Sequence, residues 1–111
     1  EFPNVKANHP EKTAHPCQFP IELVQRCVLA LTNKKNYIID PFMGVGSTII
    51  GASMHDRNAI GYEMDASYIS ITKKRIKELE KGTIKIRKLG KQIHVPKKTD
   101  KVAQLPFEWL K

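Results

Sequence analysis

Residues 37–48 have the sequence YIIDPFMGVGST, an apolar run that ends in an aspartate and then turns through two glycines. This pattern predicts a strand over 37–40, a loop that contains Gly44 and Gly46, and a helix that begins at Ser47. Glycine has no Cβ to hold a ligand away, so such a loop brings backbone N–H groups beside a bound molecule, and the helix points its positive end at it. We therefore expect a ligand site where the first strand ends.

A second apolar segment, residues 58–62, is followed by Glu63. A carboxylate at the end of the neighbouring strand can accept hydrogen bonds from both hydroxyls of a ribose. The order of strand, glycine loop, helix, strand and acid therefore favours a ribose-bearing cofactor. A lone Gly-x-Gly also occurs in ordinary tight turns, so a purely structural loop is the alternative.

Details of the loop narrow the class of cofactor. The dinucleotide fingerprint requires a third glycine where this chain has Ile49, which disfavours nicotinamide and flavin cofactors. A phosphate-binding NTPase loop requires Gly-Lys-Ser/Thr, and no lysine lies between Lys35 and Lys73. S-adenosyl-L-methionine, a nucleoside that carries an amino acid and no pyrophosphate, fits what remains.

Composition sets the broad class of protein. The chain has 111 residues, enough for one small domain, and it has neither an apolar run long enough to span a membrane nor a secretory leader. Cys17 and Cys27 form no close pair, so we expect free thiols and a cytoplasmic location. His9, His15 and Cys17 match no tetrahedral spacing, and no metal is expected.

The positive charge is concentrated near the end of the chain. Residues 1–80 hold 10 basic and 9 acidic side chains, whereas residues 81–111 hold 9 basic and 2 acidic ones. Such a segment can neutralise nucleic-acid phosphates, without reading bases, or can simply be a solvated surface. The residues predicted to contact nucleic acid are Lys85, Arg87, Lys88 and Lys91.

Periodicity and capping residues predict the remaining elements. We expect an extended arm over 1–19, an α/β cofactor-binding half-domain over 20–81, and a basic strand and tail over 82–111. The helices are predicted at 20–32, 47–55 and 66–81, with Asp65 as the N-cap of the third, and an edge strand is predicted at 83–89. The first helix is expected to bury an apolar face of Val24, Cys27, Val28 and Leu31, and the third a stripe of Ile69, Ile76 and Leu79. Two parallel strands joined by a helical crossover are the start of an α/β doubly wound sheet.

Three motifs in this order resemble a known family. HPCQFP at 15–20, DPFMGVGST at 40–48 and NAIGYEMDASYISITKKRI at 58–76 resemble the C-terminal part of beta-type DNA amino-methyltransferases, which methylate adenine N6 or cytosine N4. The resemblance implies part of a Rossmann-like S-adenosylmethionine-dependent methyltransferase fold, incomplete in this chain. The cofactor-binding residues that it implies are His15, Pro16, Asp40, Pro41, Phe42, Gly44, Gly46, Ser47 and Glu63.

The motif that would hold the acceptor amine is not found in this sequence. The family uses an Asp/Asn/Ser-Pro-Pro-aromatic loop for that task, and this sequence has no Pro-Pro pair. The resemblance therefore implies no catalytic residue here, no activity of the chain alone, and a complementary polypeptide that carries that loop and the target-recognition region. The alternatives are a methyltransferase for a non-DNA substrate and a non-catalytic basic nucleic-acid-binding module.

Overall fold

The computed structural model describes residues 2, 4–6 and 9–92. The elements follow the chain in the order α1 (Ile21–Leu31), β1 (Tyr37–Asp40), α2 (Ser47–Ser53), β2 (Asn58–Gly61) and α3 (Ala66–Glu80). All five elements predicted between residues 20 and 81 are therefore confirmed, with bounds that differ by at most two residues. In the described part of the chain, none of these helices has the length and hydrophobicity needed to cross a bilayer.

The ends of the helices follow their local chemistry. Pro20 has extended backbone angles and lies just before α1, so it caps the helix from outside instead of occupying its first turn as predicted. The carboxylate of Asp65 accepts a hydrogen bond from the Ser67 N–H at 2.7 Å, which confirms Asp65 as the N-cap of α3.

The two strands pair in parallel, with Ile38 opposite Ala59 and Ile39 opposite Ile60. Because side chains alternate along a strand, Ile38 and Ala59 lie half-buried on one face, whereas Ile39 is exposed on the other. In the described residues the sheet has these two strands. One face of the sheet is therefore uncovered.

The core lies between α1 and α2 and continues to the loop before α2. Its buried side chains include Ile21 and Val28 of α1, Ile50 and Ala52 of α2, and Val45 of the loop. Packing of α2 against α1 and both strands fixes the start of α2 relative to the sheet edge. The loop between β1 and α2 is thus held at both ends.

The exposed face of α1 corrects the sequence analysis. Cys27 and Leu31 were expected on the buried face, yet Cys27 is exposed and Leu31 is 80% exposed. The reason is that β1 is an edge strand, so no described element covers the outer part of α1. The side chains there form an open apolar groove of about 310 Å³, lined by Phe19, Leu23, Val24, Cys27, Val28, Leu31, Thr32, Ile38 and Thr48.

The strand predicted at 83–89 is not present; that segment is an irregular strap over the start of α1. Arg87 forms a buried ion pair with Glu22 of α1, and the Gly90 N–H donates to the same carboxylate at 2.8 Å. Glu11 accepts from the Arg87 N–H at 3.1 Å and from the Ile21 N–H at 2.8 Å. The hydrogen bonds to these two buried carboxylates determine the path of the strap. The rest of the predicted tail, residues 93–111, lies outside the described residues.

We expect Arg87→Ala to destabilise the fold by about 3 kcal/mol, because removing one partner of a buried ion pair leaves the other charge uncompensated. The measurement is the free energy of unfolding in urea. The matched control is Lys88→Ala at the exposed neighbouring position, which should change the free energy by less than about 0.5 kcal/mol. Equal effects of the two substitutions would contradict the importance of the ion pair.

Candidate functional site

The glycine loop leaves β1 at Asp40 and enters α2 at Ser47. The Asp40 carboxylate accepts from the Phe42 N–H at 3.0 Å, and the Gly46 N–H donates to the Met43 carbonyl at 2.9 Å. Gly44 and Gly46 both have positive φ, +53° and +77°, a region that side chains with a Cβ rarely adopt. The sequence therefore folds here into the tight turn that the two glycines predict.

Glu63 follows β2 and joins the loop to the second strand. One carboxylate oxygen accepts from the Gly44 N–H at 2.9 Å, and the other accepts from the N–H groups of Met64 and Asp65 at 2.8 and 2.9 Å. These backbone bonds, first that of Asp65, hold the pKa of Glu63 below its ordinary value near 4.5. The carboxylate is therefore ionised at neutral pH.

The bonds to Glu63 also limit what it can do for a ligand. An ionised carboxylate has about four acceptor sites, and three internal bonds leave about one. In this conformation Glu63 can accept one ligand hydroxyl, whereas the sequence analysis expected it to accept two. Accepting both requires one of the internal bonds to be released.

Residues 15–20 lie against the loop. The His15 ring packs on Tyr68 with centroids 4.7 Å apart, and a Cβ built on Gly44 would lie 3.4 Å from His15 Nε2. The Ser47 hydroxyl donates to the Phe19 carbonyl at 2.8 Å. Two segments that are far apart in sequence therefore meet at the glycine loop.

A small cleft of about 60 Å³ lies where these segments meet. Of the predicted site residues, the cleft is lined by His15, Asp40, Phe42, Gly44 and Ser47. Cys17, Gln18, Phe19, Met43, Val45 and Thr48 complete its lining and were not predicted as site residues. Ligand pockets measure roughly 300–1,000 Å³, so this cleft by itself is too small to enclose a ligand.

The other predicted site residues lie around this cleft. Pro16 and Pro41 are exposed, Gly46 is buried against α3, and Glu63 reaches the loop through Gly44. Phe42 is 88% exposed and Met64 is 99% exposed. Of these two side chains, Phe42 lines the cleft and presents its ring to solvent there.

Two residues under the loop were missed from the sequence. Thr72 and Arg75 of α3 are only 2% and 6% exposed, whereas the predicted stripe of Ile69, Ile76 and Leu79 is half-buried. The Thr72 hydroxyl donates to the Gly44 carbonyl at 3.2 Å, and the Arg75 guanidinium donates to the Val45 carbonyl. Their spacing of three places them on one helix face, but it does not distinguish them from surface residues.

The predicted DNA contacts are not equivalent. Lys85, Lys88 and Lys91 are exposed. The Arg87 guanidinium is paired with Glu22 and also donates to the carbonyls of Lys91 and Gln92. This engagement counts against Arg87 as a phosphate contact.

The chain is similar to known proteins over this same region. A family model described as DNA methylase matches residues 1–74. The Type II methyltransferase M.BglII of Bacillus subtilis is 39% identical over 70 residues, which are 63% of this chain and 19% of that protein. The Type II methyltransferase M2.MboI of Moraxella bovis is 41% identical over 71 residues, 62% of this chain and 26% of that protein. The chain thus spans about a fifth to a quarter of the length of these curated relatives.

Solved structures support the fold. The M1.HpyAVI–SAM complex has a TM-score of 0.56 and 38% identity. Its match covers 58% of this chain and 33% of the M1.HpyAVI chain. TTHA0409 of Thermus thermophilus, complexed with S-adenosyl-L-methionine, has a TM-score of 0.54 and 32% identity. Its match covers 68% of this chain and 31% of the TTHA0409 chain. These similarities confirm the predicted fold class, an incomplete part of a Rossmann-like S-adenosylmethionine-dependent methyltransferase fold.

We expect Gly46→Ala to cost more stability than Gly82→Ala. Both positions have positive φ, so each substitution carries roughly 1–2 kcal/mol of backbone strain. Only at Gly46 would the new Cβ meet a side chain, Thr72 Cγ2 at 2.5 Å, and overpacking adds about 1–3 kcal/mol. Urea unfolding of the two variants measures the difference, and equal losses would show that the loop does not rest on α3.

We expect the Glu63 carboxylate to stabilise the fold at neutral pH and to lose this effect in acid. Because its folded pKa is lowered, the unfolded chain binds more protons as pH falls below about 4.5, and the contribution disappears as pH passes through the folded pKa. Glu63→Gln should therefore be less stable than the parent at neutral pH, with a gap that narrows in acid. Urea unfolding across this pH range measures the gap, with Glu80→Gln as the control for losing one acidic charge. A gap that does not change with pH would contradict the role of the ionised carboxylate.

Proposed function

Because the chain belongs to the DNA methylase family, as its motifs predict, we propose that it is the cofactor-binding portion of a site-specific DNA amino-methyltransferase. The methyl donor is S-adenosyl-L-methionine, and the acceptor is the exocyclic amine of adenine N6 or cytosine N4. Transfer is direct: the methyl carbon leaves the sulfonium sulfur and bonds to the amine nitrogen, which loses a proton. A covalent enzyme intermediate is not needed.

The observation that carries this proposal is the 2.9 Å hydrogen bond from the Gly44 N–H to Glu63. It places the end of β1 and the acid after β2 around one turn, which is where an α/β sheet binds a nucleoside. His15 packs beside the same turn. Support also comes from the M1.HpyAVI and TTHA0409 structures, which are named as complexes with this methyl donor.

Each predicted residue has a role in this proposal. Glu63 accepts a ribose hydroxyl, and the exposed ring of Phe42 covers an apolar part of the donor. Gly44 and Gly46 allow the backbone to approach. Contacts with the donor are completed by His15, Pro16, Asp40, Pro41 and Ser47.

The free edge of the sheet favours the presence of a complementary polypeptide. This polypeptide is either a separate chain or another part of the same chain. The carbonyls of Asn36 and Asp40 accept from the N–H groups of Asn58 and Tyr62. The backbone groups of Tyr37 and Ile39 therefore point to the free edge of β1. Parallel sheets are normally covered on both faces, yet Tyr37 is 72% and Ile39 65% exposed. We propose that this polypeptide adds a strand at that edge and supplies the loop that holds the acceptor amine.

Binding to DNA is the remaining part of the proposal. Lys85, Lys88 and Lys91 are exposed on the strap and offer charge to phosphates without reading bases. The recognition sequence and the choice between adenine and cytosine depend on the complementary polypeptide. A cytoplasmic location stays a prediction.

We expect calorimetry to detect S-adenosyl-L-methionine binding to the full chain and Glu63→Ala to weaken it by about tenfold or more. A hydrogen bond to a charged group contributes roughly 1.5–3 kcal/mol, and each 1.4 kcal/mol is tenfold in affinity. Glu80→Ala, at an exposed position of α3, is the matched control and should bind normally.

The native assembly provides the second half of this test. Its intact mass should reveal either a longer chain or a second polypeptide with a Pro-Pro-aromatic loop, and that assembly should transfer a labelled methyl group to DNA. Failure of both the chain and the assembly to bind the donor would refute the proposal. DNA binding without any donor binding would favour the non-catalytic basic module, and methylation of a substrate other than DNA would favour the other alternative.

A further inference from the structure

We propose that Thr72 and Arg75 are positioning residues that hold the Gly44 and Val45 carbonyls of the glycine loop. They thereby direct the N–H group of Val45 toward the cofactor cleft. This inference rests on the proposed function and deepens it. Neither residue lines the cleft, so each acts through the loop.

Thr72 and Glu63 fix Gly44 from opposite directions. The Gly44 N–H donates to Glu63, and the Gly44 carbonyl accepts from the Thr72 hydroxyl. These groups belong to two consecutive peptide planes, so both planes that meet at Gly44 are held. A glycine at positive φ would otherwise allow them to rotate freely.

The plane held by Thr72 also carries the Val45 N–H. In a trans peptide the N–H points opposite to the carbonyl, so directing the Gly44 carbonyl at α3 turns the Val45 N–H away from α3. Within the described residues this N–H has no hydrogen-bond partner. Val45 is only 3% exposed but lines the cleft, so in this proposal its N–H is the group that the loop offers to an acceptor atom of the cofactor.

Arg75 holds the next carbonyl. Its guanidinium is buried and donates to the Val45 carbonyl, while no carboxylate of the described part of the chain forms an ion pair with it. Burying a cation is costly unless its donors are satisfied. In the described part of the chain the guanidinium thus hydrogen-bonds to the loop backbone, while Glu11 and Glu78 act on its charge without forming an ion pair with it.

Packing couples α3 to the loop as well. Gly46 lies so close to the Thr72 side chain that a Cβ would come within 2.5 Å of its methyl group. Thr72 thus contacts the loop through both branches of its side chain, the hydroxyl at Gly44 and the methyl at Gly46. The two branches can be removed separately.

The test compares Thr72→Val, which keeps the shape and removes the hydroxyl, with Thr72→Ser, which keeps the hydroxyl and removes the methyl. Thr83→Val is the control, since Thr83 is exposed and its hydroxyl donates to the Glu78 carbonyl instead of to the loop. Amide hydrogen exchange is measured on each full chain without ligand, and affinity for S-adenosyl-L-methionine is measured by calorimetry. Thermal melting verifies that each variant is folded, and Thr72→Ser carries the comparison if Thr72→Val does not fold.

We expect Thr72→Val to accelerate amide exchange at 44–46 without a change in α2, and to weaken donor binding about fivefold. Thr72→Ser and Thr83→Val should stay within about twofold of the parent. If Thr72→Val leaves both exchange and affinity unchanged, or if Thr72→Ser weakens binding as much, the positioning role of the hydroxyl is overturned.

The exchange measurement distinguishes a failure of the positioning role from a failure of the proposed function. If the parent chain binds no donor, the exchange data alone decide the positioning role. Faster exchange confined to 44–46 in Thr72→Val would support it, and unchanged or uniformly faster exchange would overturn it.

Discussion

The hydrogen bond between the Gly44 N–H and Glu63 is the contact on which the site depends. It joins the turn after β1 to the residue after β2 at 2.9 Å, and so fixes the two strand ends against each other. The same carboxylate also accepts from the N–H groups of Met64 and Asp65, which helps to keep it ionised. On the other side of the turn, Thr72 and Arg75 of α3 donate to the carbonyls of Gly44 and Val45. The loop is therefore organised by polar contacts on both sides.

The sequence predicted the five elements between residues 20 and 81 well because each one has a local signal. An apolar run locates β1, glycines locate the turn, and Asp65 marks the start of α3. Contacts between distant residues have no such signal. Nothing local distinguishes Arg75, buried under the loop, or Arg87, paired with Glu22, from the exposed lysines around them, because burial of a cation is decided by a partner elsewhere in the chain.

The burial errors on α1 have a single cause. Helical spacing correctly identified an apolar face on α1, but Cys27 and Leu31 on that face are exposed because the sheet ends at β1 in the described residues. Ile39 is exposed on the other face of the sheet because no described element covers that face. A sequence pattern indicates which surface is suited to burial, whereas the surface is covered only if the neighbouring element is present. The open surfaces on both sides of β1 agree with a chain that spans a minor part of its relatives.

The most direct test of the central claim is a crystal structure of the full chain grown with S-adenosyl-L-methionine. We predict density for the donor in the cleft beside His15 and Gly44, with a ribose hydroxyl within hydrogen-bond distance of the Glu63 carboxylate. A cleft that is empty at saturating donor, or that is filled by a side chain of the protein itself, would contradict the assignment of this turn as the cofactor site.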